Sequence, residues 1–192
     1  MKKDIILAGV GGQGILSIAA IIGLAALSEQ LYIKQAEVHG MSQRGGAVQS
    51  HLRISSQPVY SDLIPEGKAD IILSVEPLET LRYLNFLSPE GLIISSLNSF
   101  RNIPDYPKMA EILKRYNHIR KKIMIDAENL AKKAGNIKTS NVVMLGAASG
   151  YLDISETAIK DSISNLFSKK GKEIVELNLK AFDLGWKEAE KS

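Results

Sequence analysis

The sequence predicts a three-layer α/β/α domain on a mostly parallel, mixed sheet with a helical C-terminal part, and three observations predict it. Short runs of consecutive apolar residues recur, namely Ile5-Ile6-Leu7, Ile71-Ile72-Leu73, Leu92-Ile93-Ile94 and Ile123-Met124-Ile125, the pattern of strands covered on both faces. Helical patterns lie between most of them. From Ala127 onward the apolar period is helical throughout.

The elements follow in order. Asp4 to Ala8 forms the first strand, Gly9 to Gly14 a turn, and Ile15 to Leu27 a helix. That helix is so uniformly apolar that it must be buried on more than one side, by the sheet and by a further layer. Tyr32 to Val38 reads as a strand. Ala47 to Ile54 alternates, with Val48, Ser50, Leu52 and Ile54 on one side, which predicts a strand whose opposite face is wetter. Glu76 opens a helix with Pro77 in its first turn, and Pro107 to Tyr116 gives another. Between them Leu97 to Pro107, with Asn98, Asn102 and Pro104, reads as the loosest loop. Four helices close the chain: Ala127 to Ala134 ended by Gly135, Thr139 to Tyr151, Ser155 to Phe167 with Ser155 as its cap, and Glu173 to Glu190.

A chain of 192 residues with 45% apolar content supports one domain, 1–192, with a full-sized core. The net charge of +3, from 24 Lys+Arg against 21 Asp+Glu, is too small to argue for nucleic acid or an anionic membrane. The excess sits in Lys114 to Lys122, which reads as a solvated helix end and loop. There is no cysteine, so disulfides, thiolate zinc, cysteine-ligated iron–sulfur clusters and a thiol nucleophile are excluded in this chain. The three histidines lack metal-ligand companions at i+3 or i+4, and no metal is expected. Ile5 to Leu27 carries no charge and follows Lys2-Lys3, but its glycines and Gln13 split it into pieces too short to span a bilayer. No membrane segment is expected, and the cytoplasm is the default compartment.

The residues with chemical potential lie in two loops. Gly9-Val10-Gly11-Gly12-Gln13-Gly14 fits G-x-G-x-x-G between a strand and a helix, a Rossmann-like turn whose amides meet phosphate at the helix's positive end. Glu37 follows at about the distance of a ribose-binding acid, so an NAD-binding domain is one reading. Gln13 at the mouth of the loop and a second polar loop, His39 to Gly46, argue against it. Sites in open α/β sheets collect at the carboxyl ends of strands, which sets His39, Arg44 and the first loop toward one crevice. Arg44, beside Gly45-Gly46, offers a fork of donors to a carboxylate or phosphate. No G-x-S-x-G, no phosphate-loop lysine and no tyrosine with lysine four residues on occurs. A glycine-loop domain without acid, base or nucleophile is a cofactor module or part of a composite site; a scaffold whose glycines only pack is the third reading.

The two loops together carry a resemblance. Ile6 to Gly14, followed by Glu37-Val38-His39-Gly40-Met41-Ser42-Gln43-Arg44-Gly45-Gly46, resembles the gamma-type chain of 2-oxoacid:ferredoxin oxidoreductases, and most of all the small (beta) subunits of the indolepyruvate enzymes. The order Glu37, Gly40, Arg44, Gly45, Gly46 is its selective portion; Ala69-Asp70, Glu76-Pro77 and Asn141 to Gly146 extend it through most of the chain. The resemblance implies a gamma-type catalytic domain over 1–192, in an enzyme that decarboxylates indolepyruvate or a related aryl 2-oxoacid oxidatively to an acyl-CoA. It implies thiamine diphosphate and iron–sulfur clusters in a larger partner subunit, with electrons passing on to ferredoxin and CoA at the interface. This chain would bind no cofactor alone and contribute no catalytic residue. Its loops would wall the shared site, with Gly9, Gly11, Gly12, Gln13, Gly14, Glu37, His39, Ser42, Gln43, Arg44, Gly45 and Gly46 as the cofactor-facing positions. Pyruvate, 2-oxoglutarate and branched-chain enzymes use related chains, so the particular 2-oxoacid stays open.

Overall fold

Strand β1 (Lys2–Val10) runs through the middle of a six-stranded sheet and is buried from Asp4 to Val10. The computed structural model describes residues 1–39 and 45–191. The strand order is β2-β3-β1-β4-β5-β6, with β2 (Tyr32–His39), β3 (Ala47–Ser55), β4 (Ala69–Ser74), β5 (Leu87–Ser96) and β6 (Lys122–Ile125). β1, β4, β5 and β6 pair in parallel, while β3 is antiparallel to both β1 and β2. The sheet is therefore mixed. Consecutive apolar residues in β1, β4 and β5 supply both faces, Ile5, Leu7, Ile71, Leu73 and Ile94 to one core and Ile6, Ile72 and Ile93 to the other.

Among the described residues seven α-helices cover these faces. On the first lie α1 (Ile15–Ser28), α4 (Ala127–Ala134), α5 (Ser140–Ser149), α6 (Glu156–Phe167) and α7 (Lys172–Ala189). On the second lie α2 (Pro77–Arg82) and α3 (Met109–Tyr116). The expected second cover on α1 is α6, which packs against it, while Leu16, Leu24 and Leu27 remain exposed. α5 is buried along its whole length, between α7 on one side and the sheet and α1 on the other. α5 and α7 meet through glycine: a Cβ on Gly146 would land on the Phe182 carbonyl, and one on Gly185 on the Val143 carbonyl. Side chains at either position would force the helices apart.

The second face of β3 is the wetter one, as its alternation predicts: Ala47, Gln49 and Arg53 are half-buried where Val48, Ser50, Leu52 and Ile54 are all buried, although His51 and Ser55 on that second face are covered too. The segment after β3 folds back over it: Ile64 N–H donates to His51 Nδ1 at 3.0 Å, and Arg53 donates to the Ser61 and Leu63 carbonyls. Arg53 also forks onto buried Asp4, at 2.8 and 3.2 Å. Alternation marked the inward face correctly but could not show a loop returning to cover the other. One expectation needs correction: the segment after Leu97 is a loop, as expected, but not a loose one, because its Asn and Tyr side chains are hydrogen-bonded to partners far away in sequence.

Candidate anion-binding site at the glycine turns

β1 continues through Gly9 and Val10, so the turn proper begins at Gly11. Gly9 is needed for space, because a Cβ there would meet Val75 Cγ2 at 2.5 Å and Ile15 Cδ1 at 2.8 Å. Gly12 and Gly14 are needed for conformation, with φ of 99° and 80°, in the left-handed region that costs other residues strain. Gly14 is also the residue before α1, and its carbonyl accepts from Ser17 and Ile18 N–H. Ile15 and Leu16 N–H lie in the first turn and have no acceptor inside the helix. The first turn holds no acidic residue to satisfy that positive end.

Gln13 does not stand in the mouth of the loop. Its Oε1 accepts from Val10 N–H at 2.8 Å, and its own N–H donates to the Val10 carbonyl at 3.1 Å. The side chain is folded inward as a brace for the turn. This removes one argument against a ligand there.

The two glycine segments are joined directly. Gly11 N–H donates to the Gly46 carbonyl at 2.8 Å, and Gly45 N–H to the Gly11 carbonyl at 3.3 Å. Antiparallel β3 makes this possible, since its first residue, Ala47, pairs with Val10. Glu37 and His39 enter from β2, opposite Ser50 and Val48. Because β3 intervenes, Glu37 lies two strands from β1, about 10 Å at ordinary strand spacing. In a plain dinucleotide fold that strand would be adjacent to β1. Glu37 nonetheless lines a cavity of about 240 Å³ with Gly11, Gly12, Gly14, Ile15 and Val48. Gly40, Met41, Ser42, Gln43, Arg44 and the side chain of His39 lie outside the described residues.

A second cavity, of about 480 Å³, opens on the other side of the turn. Gly12, Gln13, Gly14 and Ser17 form one wall, and Lys138, Ser140, Phe167 and Lys170 stand across from them. Lys170 Nζ lies 5.3 Å from the centroid of the Phe167 ring, a cation–π contact that holds the charge at the rim. Asn141 Nδ2 donates to the Gly14 carbonyl at 3.2 Å and closes the floor. The composition of the lining suits an anion: the N-terminus of α1, whose first-turn amides have no acceptor inside the helix, two lysines, and Ser17, Thr139 and Ser140. Among the described residues there is no cluster of His, Asp and Glu able to hold a metal ion. Lys138 and Lys170 were missed in the sequence because nothing but the fold brings residues so distant beside the turn.

Another cluster missed in the sequence surrounds Glu76, at the carboxyl end of β4. This carboxylate is 1% exposed. Its Oε2 caps α2 by accepting from Glu79 N–H at 2.8 Å, and its Oε1 accepts from Phe100 N–H and from the Tyr106 hydroxyl. Burial and the neighbouring carboxylate push the Tyr106 hydroxyl above its ordinary range, so it remains a donor. Burial likewise raises Glu79, against the opposing pull of Arg82, which pairs with it at 3.0 Å. A carboxylate directly before a helix-opening proline was the only signal for Glu76.

A glycine turn between a strand and a helix, with Lys138 and Lys170 among the residues lining the cavity beside it, is the frame of a ligand-holding α/β module. The chain belongs to the pyruvate ferredoxin/flavodoxin oxidoreductase family, whose model matches residues 4–188. It is 41% identical over 201 residues to the indolepyruvate oxidoreductase subunit IorB of Thermococcus kodakarensis, covering 98% of this chain and 97% of that protein. It superposes with a TM-score of 0.72 and 25% identity on the gamma subunit of a keto/oxoacid ferredoxin oxidoreductase from Geobacter sulfurreducens, across 99% of both chains. It also superposes, with a TM-score of 0.80 and 24% identity, on 2-oxoglutarate:ferredoxin oxidoreductase from Magnetococcus marinus. That structure has 2-oxoglutarate, coenzyme A and succinyl-CoA bound; the whole of this chain corresponds to 31% of the longer one. Within the family the chain is similar over its full length to IorB-type subunits, at 37–41% identity.

Proposed function

We propose that the chain is the small subunit of a thiamine diphosphate-dependent 2-oxoacid:ferredoxin oxidoreductase that converts indolepyruvate or a related aryl 2-oxoacid to its acyl-CoA, and that it works in the cytoplasm. The observation that carries this reading is the full-length likeness to IorB-type subunits, which an anion-suited cavity at the glycine turn supports. Iron–sulfur clusters do not fit this chain, which has no cysteine; they belong to the larger partner subunit, which also hands electrons to ferredoxin. The thiamine cofactor, bound by that partner, supplies the chemistry of decarboxylation.

CoA does fit. Its diphosphate is a dianion that the amides of Gly12, Gly14, Ile15 and Leu16 and the ammonium groups of Lys138 and Lys170 can neutralise together. Of the family's second motif, Gly45 and Gly46 are hydrogen-bonded to the same turn; to them we add Gly9, Glu37, His39, Ser42, Gln43 and Arg44 as the further positions of the wall that this chain presents to its partner. The wall's task is to hold CoA at a fixed distance from the partner's reacting centre and to keep water out.

Co-expression with the larger subunit tests the reading. Lys138→Ala and Lys170→Ala should each raise the KM for CoA about tenfold, the scale of one charge-assisted hydrogen bond, and leave the KM for the 2-oxoacid unchanged. Unchanged CoA kinetics in the double variant would refute the seat. Tight NAD(H) binding by a chain that associates with no partner would refute the subunit assignment.

A further inference from the structure

Residues 97–108 join β5 to α3 without regular structure, yet they cross the carboxyl edge of the sheet as a strap tied at both ends and in the middle. At its start Asn98 Nδ2 donates to Asp126 Oδ1 at 2.9 Å, and Asn98 Oδ1 accepts from Glu128 N–H at 2.9 Å. Further along, Phe100 N–H and the Tyr106 hydroxyl both converge on Oε1 of Glu76. Between those two points Asn102 Nδ2 donates to the Gly45 carbonyl at 2.8 Å. Gly45 is the residue whose N–H reaches back to Gly11. One continuous path therefore runs from the buried Glu76, through the strap and Asn102, to the second glycine segment and on to the phosphate turn.

From this path we infer that Glu76 and Asn102 are positioning residues for the shared site. Glu76 holds the strap down over the sheet edge, and Asn102 holds Gly45 in register with Gly11. Neither touches the ligand. Their effect is on the backbone that does: amides bind an anion strongly only when they are already aimed at it. The chemistry of Glu76 suits the task, because a buried carboxylate that accepts from Glu79, Phe100 and Tyr106 serves three donors at once. A glutamine there can turn its carbonyl to Glu79 or to the strap, but not to both. Asn102 acts by donating, so an aspartate of the same shape opposes the Gly45 carbonyl instead of binding it. The inference rests on the reading of the glycine turn as the CoA seat.

Hydrogen exchange on the full chain, compared among wild type, Glu76→Gln and Asn102→Asp, tests it. Both variants should accelerate exchange at the Gly11 and Gly45 amides about tenfold, the scale of one lost hydrogen bond, while Ile93 N–H, paired with Lys121 at the far end of the sheet, stays protected as the sign of an intact fold. Faster exchange at Phe100 with Gly11 and Gly45 unchanged overturns the proposal. In the co-expressed complex Asn102→Asp should raise the KM for CoA several-fold with kcat and the KM for the 2-oxoacid held. Coupled exchange with an unmoved KM for CoA overturns the CoA seat and upholds the strap; uncoupled exchange overturns the strap whatever the kinetics do.

Discussion

Replacing Gly12 and Gly14 with alanine, one at a time, separates two reasons for which a turn needs glycine. At Gly12 a Cβ would meet nothing within 4 Å, and only the φ of 99° resists it. Forcing an L-residue into the left-handed region costs about 1–2 kcal/mol, more than the gain from stiffening the unfolded chain. For a chain of this size that is a fall in Tm of about 2–8 °C. At Gly14 the same strain applies at a φ of 80°, and in addition the Cβ would overlap the Asn141 side-chain amide. Displacing that nearly buried amide adds about 1–3 kcal/mol of overpacking and breaks its 3.2 Å bond to the Gly14 carbonyl. Gly14→Ala should therefore lose roughly twice as much or more, about 4–20 °C in Tm. The assay is thermal unfolding of the purified chain followed by circular dichroism. Equal losses at the two positions, or a Gly12→Ala protein as stable as wild type, would refute the assignment of strain to the first and of strain plus overlap to the second.

Three further perturbations follow from the packing. Gly185→Ala must push α7 away from the Val143 carbonyl and should cost about 3 kcal/mol or more, measured by urea unfolding; a loss below about 1 kcal/mol would show that the helix pair adapts without cost. Arg53→Met leaves Asp4, 1% exposed, with the outer Lys2 as its one remaining ionic partner among the described residues and frees residues 61–63 from the sheet; a loss of about 3 kcal/mol is expected, together with faster proteolysis of that segment. His51 has its pKa lowered chiefly by burial, with Arg53 assisting and Asp62 opposing. The unfolded chain therefore takes up this proton first, so the stability His51 contributes is complete above its unfolded pKa of 6.5 and is lost as pH falls below that value toward the folded pKa. The wild-type Tm should drop more steeply than that of His51→Gln between neutral pH and pH 5; parallel curves would contradict this.

Most of the fold is legible in the sequence because its cues are local. Consecutive isoleucines marked β1, β4 and β5, Pro77 and Ser155 marked helix starts, and Gly135 marked a helix end. Antiparallel pairing of β2 and β3 is also readable, since the 40–46 connection is too short for a parallel crossover. That β3 then inserts between β2 and β1 is a property of the whole sheet, with no cue in any one segment. The site divides the same way. The glycine turn shows itself by spacing, whereas the inward brace of Gln13, the lysines across the turn and the Asn102 link to Gly45 depend on residues brought together only by the tertiary fold. Gly146 and Gly185 had one faint signal, an isolated glycine within a helical pattern, which marks close packing only once the facing helix is known.

The central place of β1 and the double cover of α1 bear on how the chain is made. The first 28 residues hold the most continuous apolar stretch in the protein, yet β1 finds its neighbours only in β3 and β4, and α1 is closed over only by α6, which begins at Glu156. At about 5–20 residues per second, translation leaves that opening segment without its cover for roughly 6 to 26 s. During this interval the ribosome-bound chain carries a stretch that is uncharged from Ile5 to Leu27 and open to other apolar surfaces until the last fifth of the sequence emerges.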